Sequence, residues 1–291
     1  MGAPAPLRPS RTCPKITETF GGPEVWYSRG TIGIAGTTGK EDLALPENVR
    51  RYYHAGTSHG GGMGGFNLGT RSDDPNVLAN NPNPEREIDR ALYVALVDWV
   101  VKGRLPPPSV YPRVTDGTLV PANSAAMGWP NIPKAPKPDG VVNSLLDYDF
   151  GPSLNYNDLT GVFTQLPPSI KQVVPSLVPK TDLDGNETDG IKTALLMAPL
   201  GSYLGWNEQR TGVTAGQNCG FSGGFIPFAA TAAERIANGD PRRSLEERYA
   251  SHADYVNIVK TATGKLVKER FLLPDDAARL VLEADSGNVL K

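Results

Sequence analysis

Three histidines occur in the chain, His54, His59 and His252, and one of them sits where an imidazole could work. His59 lies in Gly56-Thr57-Ser58-His59-Gly60, after a β-prone run and just before a glycine-rich stretch, residues 60–65. Small neighbours on such a loop let a substrate approach. Imidazole titrates near neutral pH, so it can take up a proton and return it. It works better when a carboxylate holds its other nitrogen. Glu24, in Gly22-Pro23-Glu24-Val25-Trp26, meets that need if the strands before the two residues are neighbours; Glu18 is the second choice. The competing readings are a polar turn residue for His59 and a solvated loop acid for Glu24. His54, near a strand end, and His252, on a helix close to Tyr249 and Tyr255, read as structural.

The segment from Gly56 to Gly60 also matches G-x-S-x-G, the pattern of a serine nucleophile on a strand-to-helix elbow. The elbow requires a helix to follow, and glycine is a poor helix residue. Ser58 is therefore a weak nucleophile candidate and a better loop residue beside His59. Residues 181–190 (TDLDGNETDG) alternate oxygen ligands with glycine like the front of a calcium loop. With Asp182 as the first position, Thr193 falls where an EF-hand needs glutamate, so the EF-hand reading fails. A hairpin turn held by Asp and Asn fits better, with a calcium site of another kind left open. Residues 201–207 (GSYLGWN) offer Tyr203, Trp206 and Asn207, which wall a pocket or pack where a loop meets the core.

The elements that must position these residues come next. Residues 15–20 (KITETF) and 48–56 (NVRRYYHAG) read as strands bracketed by proline and glycine. The glycine-rich 60–65 reads as a loop needing positive φ or close backbone approach. Residues 84–102 read as the strongest helix. Asn83 is its N-cap, Ile88, Leu92, Leu96, Trp99 and Val100 form one apolar face, and Gly103 is the stop. Short strands are expected at 173–178 and 194–198, and helices at 229–237, 244–263 and 275–283, the second opening on a Ser244–Glu247 capping box.

Composition excludes several classes. The 291 residues carry 29 Lys+Arg against 31 Asp+Glu, a net charge of −2, unsuited to an electrostatic nucleic-acid binder. No apolar run is long enough to span a membrane. Glycine (32) and proline (27) exceed the usual share of roughly 12% and imply much irregular backbone. Cys13 and Cys219 make no disulfide framework or zinc spacing, and nothing local favours joining them. The first residues lack a secretory signal, and Pro6 breaks a myristoylation pattern, so the chain as given reads as cytoplasmic.

Seven stretches in order resemble the large bacterial alpha/beta hydrolase domain family, which is associated with carboxylic-ester hydrolysis. They are KITETFGGPEVW (15–26), VRRYYHAGTSHG (49–60), RALYVALVDWVVKGRLPPPSVYPRVTDG (90–117), VPKTDLDGNETDG (178–190), PLGSYLGWN (199–207), GDPRRSLEERY (239–249) and RFLLPDDAAR (270–279). The resemblance implies an α/β fold: residues 15–20 and 49–56 as the last two sheet strands, 84–102 as the last helix, Glu24 as triad acid and His59 as triad histidine. Ser58 stands where relatives usually have glutamine. The family's first strands, oxyanion loop and serine elbow have no counterpart here. The expected architecture is thus an incomplete alpha/beta-hydrolase sheet with a loop-rich, then helical, C-terminal extension. Its parts are a disordered 1–14, a core portion 15–105 and an extension 106–291.

Three functions follow as expectations. The first is the C-terminal part of a serine-type carboxylic-ester hydrolase, inactive alone and completed by a separate N-terminal half chain. The second is a non-catalytic binding or assembly remnant. The third is a self-contained hydrolase using Ser58. The expected ligand is a small-molecule ester; no metal, cofactor, nucleic acid or membrane is expected.

Overall fold

β1 (Ile16–Phe20) and β2 (Val49–Tyr53) lie side by side and parallel, pairing Ile16 with Val49 through Phe20 with Tyr53. Both are short β-prone runs ended by glycine or a turn, as the sequence predicts. Parallel neighbours finish on the same side, so the segments after Phe20 and Tyr53 emerge together. This is a computed structural model describing residues 13–66, 77–213 and 215–291. The expected disordered segment 1–14 lies outside the described residues except for its last two.

The segment after β1 turns at once into the short helix α1 (Gly22–Trp26), which carries Glu24. Its entry depends on backbone contact. A Cβ on Gly22 would lie 2.2 Å from the Gly205 Cα, and one on Gly205 would lie 2.5 Å from the Gly22 Cα. Neither atom belongs to a side chain that can swing away. Gly205→Ala is therefore expected to cost about 1–3 kcal/mol, as overpacking does, and to push α1 off its seat. A lowered denaturant midpoint with unchanged m-value checks this.

β2 is flanked on its far side by bridges from Tyr52 to Val110 and from His54 to Ile191. Among the described residues β1 has no second strand partner. The expected strand at 173–178 splits around Pro175. Ser169–Val174 pairs with Leu145–Asp149, and Leu177–Pro179 pairs with Leu119–Pro121, so neither extends the β1–β2 sheet. Residues 194–198, expected as a strand, form the helix Ala194–Met197. Thr193 caps it by accepting from the Leu196 N–H at 3.2 Å, and Ala-Leu-Leu-Met are good helix formers. The strand in that region is Gly201–Leu204, paired antiparallel with Gly224–Pro227, which also pairs with Ala79–Asn80.

The long helix is Arg86–Lys102, ended by Gly103 at φ 70°. Asn83 is not its N-cap. Asn83 is buried and donates to the carbonyls of Ala55 and Gly56, each at 2.9 Å, while its oxygen accepts from Thr193. Its side chain fastens three segments, so the helix begins later, after Glu85. Ile88, Leu92 and Trp99 are buried as predicted, but Val100 faces solvent, as do Tyr93, Val94, Val97 and Val101. From Ala91 to Val101 the helix is thus apolar on nearly all sides, and only part of that surface is covered. Helices all-apolar in section normally lie inside.

The C-terminal third is helical as expected. The Ser244–Glu247 capping box is present, but the helix it opens is only Leu245–Arg248. Ser251 caps a second one, His252–Lys268, which packs on Pro274–Ser286. The helix expected at 229–237 is Ala232–Asn238. One core joins these parts, with Trp26, Tyr52, Tyr53, Leu195, Leu200 and Trp206 among its most buried side chains. No disulfide joins Cys13 and Cys219. Among the described residues no helix is long and apolar enough to cross a membrane.

Candidate active site

The Glu24 and His59 side chains meet beyond the ends of β1 and β2. Glu24 Oε1 is hydrogen-bonded to His59 Nδ1. The other oxygen, Oε2, accepts the Gly21 N–H at 2.9 Å, fastening the start of α1. The imidazole lies on Phe221, centroids 4.6 Å apart, and the His59 N–H donates to the Phe221 carbonyl at 3.2 Å. The ring is thus held from below and from one side. It still exposes 59% of its side chain, against 26% for Glu24. With Nδ1 engaged, Nε2 is the nitrogen left to exchange a proton with a ligand.

The glycine loop after His59 behaves as expected. Gly60, Gly61, Gly64 and Gly65 have positive φ, and a Cβ on Gly62 would lie 2.3 Å from the Asn81 carbonyl oxygen. No helix follows Ser58, so it is on no nucleophile elbow. Its Oγ accepts the Gly223 N–H at 3.0 Å and serves the loop junction.

The other residues singled out in the sequence are placed elsewhere. Tyr203, Trp206 and Asn207 are buried in the core and line no open pocket wall. Trp206 packs between Trp26 and Trp129, the Tyr203 oxygen accepts the Leu200 N–H at 3.3 Å, and Asn207 Oδ1 accepts the Leu78 N–H at 3.1 Å. These residues hold the junction on which α1 rests. Glu18 pairs with Arg51 at 2.7 Å and is committed there. His54 is buried with Nε2 3.1 Å from Asp89 Oδ1, and both His252 nitrogens face main-chain carbonyls, those of Val289 and Asp285. Residues 181–187 form a turn closed by a Thr181–Glu187 bridge. Asp182 Oδ1 accepts the N–H groups of Asp184 (2.9 Å) and Asn186 (3.0 Å), and Asp184 pairs with Arg248. Among the described residues no group of three or more His, Cys, Asp or Glu side chains could hold a metal ion.

Two carboxyl groups near the site were not read as site acids in the sequence, where Glu187 enters only within the 181–190 stretch. Glu85 lies 3.5 Å from the Thr57 hydroxyl. Burial pushes its carboxyl above the ordinary range, His54 and His59 oppose this, and Asp89 and Glu24 add to it. Glu187 is fully enclosed, and burial raises its carboxyl to about 7 against the bonds it accepts. The sign of its effect on stability is fixed by that shift. Below its unfolded value the acid is neutral in both states. As pH rises toward 7 the unfolded chain ionises first and stability falls, by about 3 kcal/mol in all. Glu187→Gln is expected to remove this loss, so its advantage over wild type grows between pH 5 and 7 and then levels. Urea unfolding of both proteins across that range checks it.

Residues 31–282 match the family model of the alpha/beta hydrolase domain, and the chain belongs to that family. The matched span includes β2 and His59 and begins after Glu24. No curated protein and no solved structure matches the chain.

Proposed function

We propose that this chain supplies the base and the orienting acid of a serine-type hydrolase of carboxylic esters. The hydroxyl nucleophile and the oxyanion donors come from a separate polypeptide segment. His59 Nε2 takes the hydroxyl proton as that oxygen attacks the ester carbonyl. The imidazolium then gives the proton to the departing alcohol. Water then attacks the acyl group left on the hydroxyl oxygen, giving a proton to His59 Nε2, and the imidazolium returns that proton to the hydroxyl oxygen as its bond to the acyl group breaks and the acid leaves. Glu24 holds the ring by Nδ1 and stabilises its charged form. The observation that carries this reading is an imidazole, 59% exposed, whose Nδ1 is held by a carboxylate on α1, the helix that follows the neighbouring parallel strand.

Two further features support it. Ser58 Oγ is bound to Gly223 N–H and does not reach for the ring, which speaks against a self-contained site. The side of β1 that has no strand partner among the described residues, beside the exposed Tyr93 and Val94 of the long helix, is the kind of surface a further strand and helix would cover.

The test is turnover of a short-chain nitrophenyl ester, with fluorophosphonate labelling alongside. The chain alone is expected to give neither. Adding a strand–G-x-S-x-G–helix unit of the same family is expected to restore both, and His59→Ala to abolish turnover again. Turnover by the chain alone that His59→Ala removes would overturn the separate hydroxyl. Labelling lost in Ser58→Ala would establish the self-contained reading instead.

A further inference from the structure

Glu187 sits where the His59 loop originates, at the end of β2. Its carboxylate accepts the Gly56 N–H at 2.7 Å and the Tyr53 O–H at 3.0 Å. Gly56 is three residues before His59, and Tyr53 ends β2. Thr57, next to Gly56, packs on the entry to α1: its carbonyl oxygen would lie 2.8 Å from a Cβ on Gly22, and its hydroxyl 2.5 Å from one on Gly21. The loop that Glu187 holds at Gly56 therefore lies directly against the helix that carries Glu24. The backbone around Glu187 is itself fixed. Thr181 bridges Glu187, the Ile191 N–H donates to the Tyr53 carbonyl at 2.7 Å, and the Ala55 N–H donates to the Ile191 carbonyl at 3.2 Å.

A carboxyl taken fully from water is costly, and no ion-pair partner of Glu187 is found among the described residues; Lys192 acts on it only through a longer-range field. An apolar side chain would fill the same space without that cost. What an apolar residue cannot do is accept from Gly56 and Tyr53 at once. We infer that Glu187 is a positioning residue that sets the His59 loop against α1 and so fixes the hydrogen bond between His59 and Glu24. Its relevance to catalysis rests on the ester-hydrolase reading; its effect on the dyad's geometry does not.

The test uses two variants of the full chain. Glu187→Gln keeps the size and an acceptor oxygen; Glu187→Ala keeps neither. Two NMR signals are read in the folded proteins: the Gly56 amide proton, and the far-downfield proton shared by His59 Nδ1 and Glu24. The Gly56 amide is expected to move upfield in the glutamine variant and further in the alanine variant. The His59 signal is expected to weaken in the same order and to vanish in the alanine variant. A merely structural acid would lower the melting temperature and leave the His59 signal intact in the folded molecules. A Gly56 amide that moves in Glu187→Gln while the His59 signal stays at its wild-type position and intensity overturns the inference, whether or not the alanine variant folds. Neither signal requires a hydroxyl or a substrate. Failure of the esterase assay would therefore bear on the proposed reaction and not on this one.

Discussion

Glutamine in place of Glu24 is expected to slow ester turnover about 1,000- to 10,000-fold in the assembly that supplies the hydroxyl. The amide is nearly the size of the carboxyl and leaves α1 in place. It removes the negative charge that stabilises an imidazolium. It can also present an N–H to His59 Nδ1, which selects the tautomer with the proton on Nε2 and closes the nitrogen that must accept. The effect corresponds to about 4–5.5 kcal/mol of transition-state stabilisation. It is expected in kcat, with KM little changed, because the carboxylate sits behind the ring and not beside the ligand. Steady-state kinetics on wild type, Glu24→Gln and His59→Ala decide it. A loss below tenfold for the glutamine variant would remove Glu24 from the reaction.

Arg242→Ala is expected to destabilise the chain by about 3–5 kcal/mol, in the range for breaking a buried ion pair. The guanidinium is nearly inaccessible and spends its donors on five acceptors. It meets Asp240 through both oxygens (Nε 3.0 Å, Nη2 2.6 Å), Ser202 Oγ (2.8 Å) and the carbonyls of Ile226 (3.0 Å) and Pro227 (3.1 Å). It also lies over the Phe228 ring at 5.1 Å. Burial pushes the Asp240 carboxyl up, and the Arg242 bonds outweigh this and hold it below the ordinary range. Truncation leaves that charge the Arg242 main-chain N–H but takes the guanidinium from it and from the carbonyls of Ile226 and Pro227. Lysine supplies one point charge where a planar fork is needed, so Arg242→Lys is expected to recover only part of the loss. Urea unfolding of both variants measures it.

The strands that carry the site were legible because each is a short β-prone run between breakers, and parallel pairing then brings Glu24 and His59 to one side. The alpha/beta hydrolase resemblance was legible in stretches spread along the chain. Glu187 was not legible. Its partner is a backbone N–H 131 residues away, and no side-chain pattern announces such a bond. Residues 194–198 read as a strand because five apolar residues in a row show no period, and only the Thr193 cap separates helix from strand there. The second apolar side of the long helix was also missed. Ile88, Leu92, Leu96, Trp99 and Val100 are expected on one face, and the exposure of Val100 together with Val94, Val97 and Val101 reveals the other.

The carboxylate that meets His59 also ties down the Gly21 amide. One side chain thus answers two claims in opposite directions, and its reach is set by both. An aspartate here has the same charge but one methylene less, so it must release either the amide or the ring. Position 24 is consequently a ruler as well as an acid, and the helix it anchors, five residues long, owes its orientation to the same atom pair that steadies the imidazole.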